Sequence, residues 1–179
     1  MQIQTSRFGA VGLDQEDLIE FPEGIPGFAS LRKFVLLDDP TDDVFAWLQS
    51  CENPAVAFPV LEPDLFAKNY SIGLTKRDLE SLGLSAGERF HTFCIITIPN
   101  DPRNMTANLK APVIINAKKK IGRQCVLQDN ALAINEPIFT TLQARVVQTP
   151  PQPIKSKAAE TGMAVRLEKS VTKNRDVQV

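Results

Sequence analysis

Short apolar runs separated by polar and proline-rich turns fill most of the chain, and this pattern predicts β-strands. The first five candidate strands occupy residues 2–8, 17–21, 33–38, 45–50 and 55–60. In the first of them Ile3, Thr5 and Arg7 share one parity, and Gly9 then indicates a turn. Aspartate, proline and asparagine separate the later runs, which is typical of an antiparallel meander.

The second half of the chain continues the pattern with a longer central strand. Residues 89–99, RFHTFCIITIP, are apolar at both odd and even positions, so we predict a strand buried on both faces. Residues 112–117 and 123–128 flank KKKIG, which predicts a hairpin with Gly122 near its tip. Together the runs predict a mainly β fold: a small closed or partly open antiparallel β-barrel with one or two short helices and a C-terminal tail.

One helix is marked by its capping residues. Thr75 precedes KRDLESLGL, Asp78 follows three positions later, and Gly83 is placed to end the helix. A second, weaker helical turn is indicated at residues 63–68. We predict the core from the large apolar residues Phe21, Phe28, Trp47, Phe93, Ile95 and Ile114.

The composition changes at residue 149, where TPPQPIKSK favours an extended linker. We therefore predict a barrel domain over 1–148 and a Pro-rich linker with a basic tail over 149–179. This tail is either disordered or, from the spacing of Ala159, Met163 and Leu167, a short amphipathic helix. The domain carries 14 Lys/Arg and 18 Asp/Glu, a net charge of −4, and the tail carries +3. An acidic domain argues against general nucleic-acid binding.

Nothing in the sequence indicates secretion or membrane insertion. No apolar run near the start has signal-peptide length, and the longest elsewhere is about FCIITI. The three cysteines lack CxxC spacing, which favours reduced thiols. We expect a soluble cytoplasmic protein, with a monomer as the default.

The sequence offers little for catalysis, metal binding or a cofactor. His91 and Cys94 are three residues apart on one strand, so their side chains point to opposite faces. The cysteines are scattered and give no zinc spacing. The run Asp38, Asp39, Asp42 and Asp43 lacks the glycine and distal glutamate of a calcium loop, and we interpret it as a solvated loop. We predict no enzyme activity and no cofactor.

Two polar segments remain as candidate binding features. Lys118–Lys120 and Arg123 form a basic spot without the aromatic residues that stack on RNA bases, so a solvated hairpin tip is favoured. Pro99 and Pro102 restrict the loop between them, which suits display to a partner or a rigid corner between strands. The residues alone leave both readings of the loop open.

Four motifs, in this order and spacing, resemble the flagellar assembly factor FliW family. They are IEFPEGIPGF (19–28), FAWLQS (45–50), TIPNDPRNMTANLKAPVIIN (97–116) and GRQCVLQD (122–129). The resemblance covers roughly residues 1–140 and implies a small, cytoplasmic, barrel-like protein without enzymatic activity. It implies two protein partners, flagellin and the RNA-binding translational repressor CsrA. Flagellin occupancy would release CsrA, and free FliW would sequester CsrA by an allosteric mechanism.

The sequence departs from the family pattern in its loop and in its tail. Family members often carry acids in the loop, where this chain has Asn100, Arg103 and Asn104 and retains only Asp101. The predicted partner contacts are Asn100, Asp101, Arg103, Asn104, Met105 and Asn108, with Asp38, Asp39, Asp42 and Asp43 as a second, electrostatic patch. A small RNA-binding β-barrel that uses Lys118–Lys120 and the tail is the alternative. A hydrolase that uses Cys94 ranks third.

Overall fold

The computed structural model describes residues 1–41 and 44–168 of the chain. Within these ranges the chain forms twelve β-strands and two α-helices. The strands are β1 (Gln2–Thr5), β2 (Gly9–Gly12), β3 (Ile19–Glu20), β4 (Lys33–Asp38), β5 (Ala46–Ser50), β6 (Ala57–Leu61), β7 (His91–Thr97), β8 (Thr106–Ala107), β9 (Val113–Asn116), β10 (Ile121–Gln124), β11 (Glu136–Pro137) and β12 (Ala164–Arg166). The helices are α1 (Lys76–Leu82) and α2 (Phe139–Val146).

Seven strands close into a barrel in the order β7-β6-β5-β4-β3-β10-β9, and β9 pairs back to β7. Closure is possible because β7 is long enough to serve both neighbours: Phe93 pairs with Val113 of β9, and Ile95 pairs with Val60 of β6. This confirms the mainly β, closed-barrel prediction. The pairing is not purely antiparallel, since β3 runs parallel to β10 and β4 runs parallel to β12.

Apolar side chains from strands around the barrel fill its interior. Phe21 and Phe34 meet edge to face, with ring centroids 5.0 Å apart. Of the predicted core residues, Phe21, Trp47, Phe93 and Ile114 are buried and Ile95 is partly buried. The prediction for Phe28 was wrong: it is 37% exposed and packs edge-on against Phe58 in a turn outside the barrel.

Gly122 lies within β10, opposite Ile115, and not at the hairpin tip that the sequence predicted. The turn instead occupies residues 117–120, where Lys120 adopts a φ of 54°. A Cβ at Gly122 would lie 2.4 Å from Cζ of Phe21, so the Phe21 ring fills the space that a side chain would need. The glycine therefore serves core packing.

The capping residues of α1 behave as predicted. The Thr75 hydroxyl accepts the backbone N–H of Asp78 at 3.1 Å, and the Asp78 carboxylate accepts the backbone N–H of Thr75 at 3.0 Å. Gly83 ends the helix with a φ of 62°. The predicted turn at 63–68 is a single 3-10 turn at Pro63–Leu65. The sequence did not predict α2, whose N-cap, Ile138, offers no capping side chain.

Residues 156–167 pack on the barrel, so the prediction of a disordered tail was wrong for this segment. Ala158 and Met163 are buried in the barrel core, and β12 pairs with β4 along Leu36–Asp38. The expected amphipathic helix is replaced by a 3-10 turn at Ala158–Thr161 and a strand. Gly162, at a φ of 73°, ends the turn, and Met163 follows it. Residues 169–179 lie outside the described part of the chain, and the domain boundary at residue 149 stays a prediction.

Candidate partner-binding surfaces

The loop between β7 and β8 is fixed by one local ion pair. The carboxylate of Asp101 accepts the backbone N–H of Arg103 at 3.0 Å and its guanidinium at 2.9 to 3.2 Å. These contacts begin a 3-10 turn at Pro102–Asn104. The side-chain hydrogen bond from Arg103, followed by its backbone hydrogen bond, holds the pKa of Asp101 below its usual value. The two opposite charges offset each other, so the loop presents an ordered tip with no net charge.

The six predicted loop contacts separate into an exposed tip and an inner support. Asn100, Arg103 and Asn104 are exposed and Asp101 is half-buried. Met105 is buried in a cluster below the loop, so its assignment as a surface contact was wrong. Asn108 has a local role as well, because its side-chain oxygen accepts the backbone N–H of Ala111 at 3.0 Å.

The predicted acidic patch is not one exposed surface. Asp38 is 1% exposed, and its carboxylate lies 3.9 Å from Lys155 Nζ and 3.8 Å from Arg166 Nε. Its placement on the surface was therefore wrong: the C-terminal segment covers it. Asp39 accepts hydrogen bonds from the hydroxyl and backbone N–H of Thr41, which lower its pKa. Asp42 and Asp43 lie outside the described residues.

The basic spot near the β9–β10 turn is partly engaged inside the protein. Lys119 Nζ donates to the carbonyl of Gly83 at 2.7 Å, at the C-terminal end of α1. The Arg123 side chain is only 16% exposed and pairs with Asp78 and Glu23. These contacts reduce the positive charge that the spot can offer to RNA.

The Arg123 cluster is a feature that the sequence did not predict. Its guanidinium contacts Asp78 on α1, Glu23 in the turn after β3 and the hydroxyl of Ser81. An open cleft of about 360 Å³ lies beside it. Since the partners are 45 and 100 residues away in sequence, no local spacing could have indicated the cluster.

The thiols lie in surroundings that suppress their reactivity. Burial raises the pKa of Cys94 to about 12, of Cys125 to about 12 and of Cys51 to about 11. Burial also lowers the pKa of His91. Across residues 1–41 and 44–168, no cluster of three or more His, Cys, Asp or Glu side chains could hold a metal ion. Within the same ranges, no helix has the length and apolarity to span a membrane.

Fold and surfaces place the chain among small closed β-barrels with a fixed polar loop. The sequence profile of the FliW protein family matches residues 2–138. A crystal structure of the flagellar assembly factor FliW superposes with a TM-score of 0.71 at 32% identity, over 76% of this chain and 96% of that chain. The chain therefore belongs to the FliW family of flagellar assembly factors.

Individual relatives differ in how far their similarity extends. Flagellar assembly factor FliW of Bdellovibrio bacteriovorus is 61% identical over 167 residues, 93% of this chain and 95% of the relative. That of Thermoanaerobacter pseudethanolicus is 38% identical over 144 residues, 80% and 96% of the two chains. That of Leptospira biflexa is 34% identical over 142 residues, 79% and 93% of the two chains.

Proposed function

We propose that this chain binds flagellin and the translational regulator CsrA and switches between them in the cytoplasm. Membership of the FliW family, over residues 2–138, is the observation that carries the proposal. When flagellin accumulates, it occupies the barrel and CsrA is released to repress flagellin translation. When flagellin is exported, the free barrel sequesters CsrA.

The switch requires two linked binding equilibria and no covalent chemistry. If binding of this chain weakens the affinity of CsrA for RNA, RNA weakens the affinity of CsrA for this chain by the same factor. The antagonism is allosteric, with CsrA contacted away from its RNA surface. The raised pKa values of the buried thiols Cys94 and Cys125 accord with such a role.

Electrostatics and shape contribute through different parts of the chain. The domain over residues 1–148 has a net charge of −4, and its long-range field attracts a basic protein such as CsrA. The loop adds little to this field because Asp101 and Arg103 neutralise each other. Its contribution is a turn held in one conformation, which reduces the ordering entropy lost when a partner binds. The loop contacts are Asn100, Asp101, Arg103 and Asn104, with Asn108 beside them.

Calorimetric titration of the full chain, as a monomer, with purified CsrA and purified flagellin tests the proposal. We expect saturable binding of each partner and release of CsrA when flagellin is added to the preformed complex. Absence of binding to both proteins at tens of micromolar would overturn it. Simultaneous binding without displacement would contradict the switch.

A pair of variants at one position tests the loop. Asp101→Lys removes the acceptor for Arg103 and reverses the charge, so we expect CsrA affinity to fall about tenfold. Asp101→Asn keeps an oxygen that can accept the Arg103 N–H and should have a smaller effect. Thermal melts by circular dichroism establish that both variants fold. Unchanged affinity in the lysine variant would remove this loop from the contact surface.

A further inference from the structure

β4 has one side that the barrel strands cover only in part. β3 pairs with it only at Lys33 and Phe34, whereas β5 pairs along its other side from Phe34 to Asp38. The remaining side, from Leu36 to Asp38, is occupied by β12. The backbone N–H of Leu167 continues this pairing by donating to the carbonyl of Asp38 at 2.9 Å. We call residues 155–167 the closing segment.

Two carboxylates lie beneath the closing segment and are incompletely satisfied. The carboxylate of Glu62 accepts the hydroxyl of Ser156 at 2.8 Å and the backbone N–H of Lys157 at 3.0 Å. Oδ1 of Asp38 and Oε2 of Glu62 are buried without a hydrogen-bond partner among the described residues. The Asp38 carboxylate lies 3.8 Å from Arg166 Nε and 3.9 Å from Lys155 Nζ. It therefore forms an ion pair with each of them but is too far away for a hydrogen bond. Burying charge in this way costs free energy, which favours opening.

Apolar anchors offset that cost and give the segment the character of a docked peptide. Ala158, the first residue of the short turn, and Met163, just after its C-cap Gly162, are buried in the barrel core. The segment thus presents a cation near each end, two apolar anchors and a strand that runs parallel to β4. These are the elements of peptide recognition by addition of a strand to a sheet edge.

The relatives indicate that the barrel does not need this segment. The solved FliW structure aligns over 96% of its own length but 76% of this chain, so a barrel of this family forms in a shorter chain. The Thermoanaerobacter relative, 96% of which is aligned over 144 residues, is likewise shorter than the stretch from residue 1 to β12. The alignment with the Bdellovibrio relative covers 167 of the 179 residues, so its last aligned residue is number 167 or later. That relative therefore includes the closing segment.

We propose that the side of β4 that β12 covers, with Asp38 and Glu62, is a docking surface for an extended basic segment of a partner protein. The closing segment occupies this surface as a built-in competitor. A partner binds by displacing it, with a strand parallel to β4, a cation at each end and small or unbranched apolar anchors between them. Strand edges are templates for such pairing, and the buried carboxylates select cations. The proposal does not depend on the identity of the partners proposed above.

A full-length variant with the segment released gives the direct test. Met163→Glu places a carboxylate in the core and should eject the segment, whereas Val126→Glu adds the same charge at a site that is 55% exposed. The probe is a fluorescein-labelled peptide of residues 154–168, followed by fluorescence anisotropy. We expect the Met163→Glu variant to bind it at least about tenfold tighter than the Val126→Glu variant or the unmodified chain.

Peptide variants define the chemistry that the surface accepts. Replacing Lys155 and Arg166 of the peptide by glutamate should weaken binding about tenfold or more. Replacing Leu167 by proline removes the N–H that bonds to Asp38 and should also weaken it. A peptide that keeps only Lys155, Ala158, Met163 and Arg166 among unrelated residues should bind within about threefold of the parent peptide. Failure of a folded Met163→Glu variant to bind the parent peptide, or equal binding of the charge-reversed one, overturns the proposal.

Hydrogen exchange on the unmodified chain keeps the proposal testable if Met163→Glu does not fold. The Leu167 amide should exchange at least about 100-fold faster than that of Leu48 in β5, because the closing segment opens while the barrel stays folded. Equal protection of the two amides would overturn the proposal. A stable dimer by light scattering, with the segment exchanged between copies, would also overturn it, because a second copy would then fill the surface.

Discussion

Arg123 Nε donates to Oδ1 of Asp78 at 3.0 Å, and Oδ2 of the same aspartate accepts the backbone N–H of Thr75 at 3.0 Å. One carboxylate therefore caps α1 and ties that helix to β10. Arg123 also pairs with Glu23, which joins the turn after β3 to the same point. Because the guanidinium is largely buried, its removal leaves the Asp78 carboxylate without its charged partner.

Replacing Arg123 by alanine should lower the free energy of unfolding by about 2–4 kcal/mol, since it breaks a mostly buried ion pair. Arg77→Ala is the matched control: its side chain is 77% exposed and lies 3.7 Å from Glu23. We expect the control to change stability by less than about 0.5 kcal/mol. Urea unfolding followed by circular dichroism measures both, and similar losses in the two variants would contradict the prediction.

The stabilisation from Asp78 should disappear at low pH. Burial alone would raise the pKa of Asp78, but hydrogen bonds from Thr75 and Arg123 and the guanidinium charge outweigh it and lower the pKa below 3.8. A carboxylate with a lowered folded-state pKa contributes stability above its unfolded pKa and loses it as pH falls through the folded value. The stability gap between the unmodified chain and Asp78→Asn should therefore be largest at neutral pH and shrink below about pH 3.8. A gap that does not change with pH would contradict this.

Gly122→Ala should destabilise the barrel by about 1–3 kcal/mol, because the added Cβ overlaps the ring of Phe21 in a packed core. Gly12→Ala is the control, since a Cβ on this strand glycine of β2 meets nothing within 4 Å. Thermal melts compare the two variants. Adding Phe21→Leu to Gly122→Ala should recover part of the loss, and a double variant that shows simple additivity would contradict the packing explanation.

The thiols should resist alkylation in the folded protein. With pKa values of about 11 to 12, the three cysteines carry little thiolate at neutral pH, and Cys94 and Cys125 are also fully buried. Iodoacetamide at pH 7.5 should leave Cys94 and Cys125 unmodified, modify Cys51 slowly and modify all three in urea. Intact-mass spectrometry measures the extent. Rapid modification of Cys94 in the folded protein would contradict its buried position and would support the hydrolase hypothesis.

Sequence reasoning succeeded where the determining interactions are local. The α1 cap depends on Thr75 and Asp78, three residues apart, and the even spacing of apolar runs predicted the strands of the meander. It failed where distant segments decide the outcome. Met163 is placed by its fit into the barrel and by Gly162, and the period-four spacing around it indicated a helix instead. The partner contacts in the loop stay a prediction from the motif. The burial of Asp38 and Met105 depends on segments that no spacing relates to them.

Glu62 should have the opposite pH dependence to Asp78. Burial raises its pKa above 4.5, and the hydrogen bonds from Ser156 and Lys157 offset this only in part. In the folded state the carboxyl therefore takes up its proton at a higher pH than in the unfolded chain, so stability rises as pH falls through the folded pKa. Above that pH the buried charge costs free energy. The substitution Glu62→Gln keeps an oxygen for Ser156 and Lys157 while removing the charge.

The glutamine variant should therefore be at least as stable as the unmodified chain at pH 8. It should lose part of that relative advantage as the pH falls towards 4.5, because the buried glutamate then takes up a proton and becomes neutral. Urea unfolding across this pH range measures the difference. Glu80→Gln, at a side chain that is 68% exposed on α1, is the control for the removal of one negative charge. If the stability of the glutamine variant, relative to the unmodified chain, instead rises as the pH falls, Glu62 is stabilised as the anion. That result would contradict its burial beneath the closing segment.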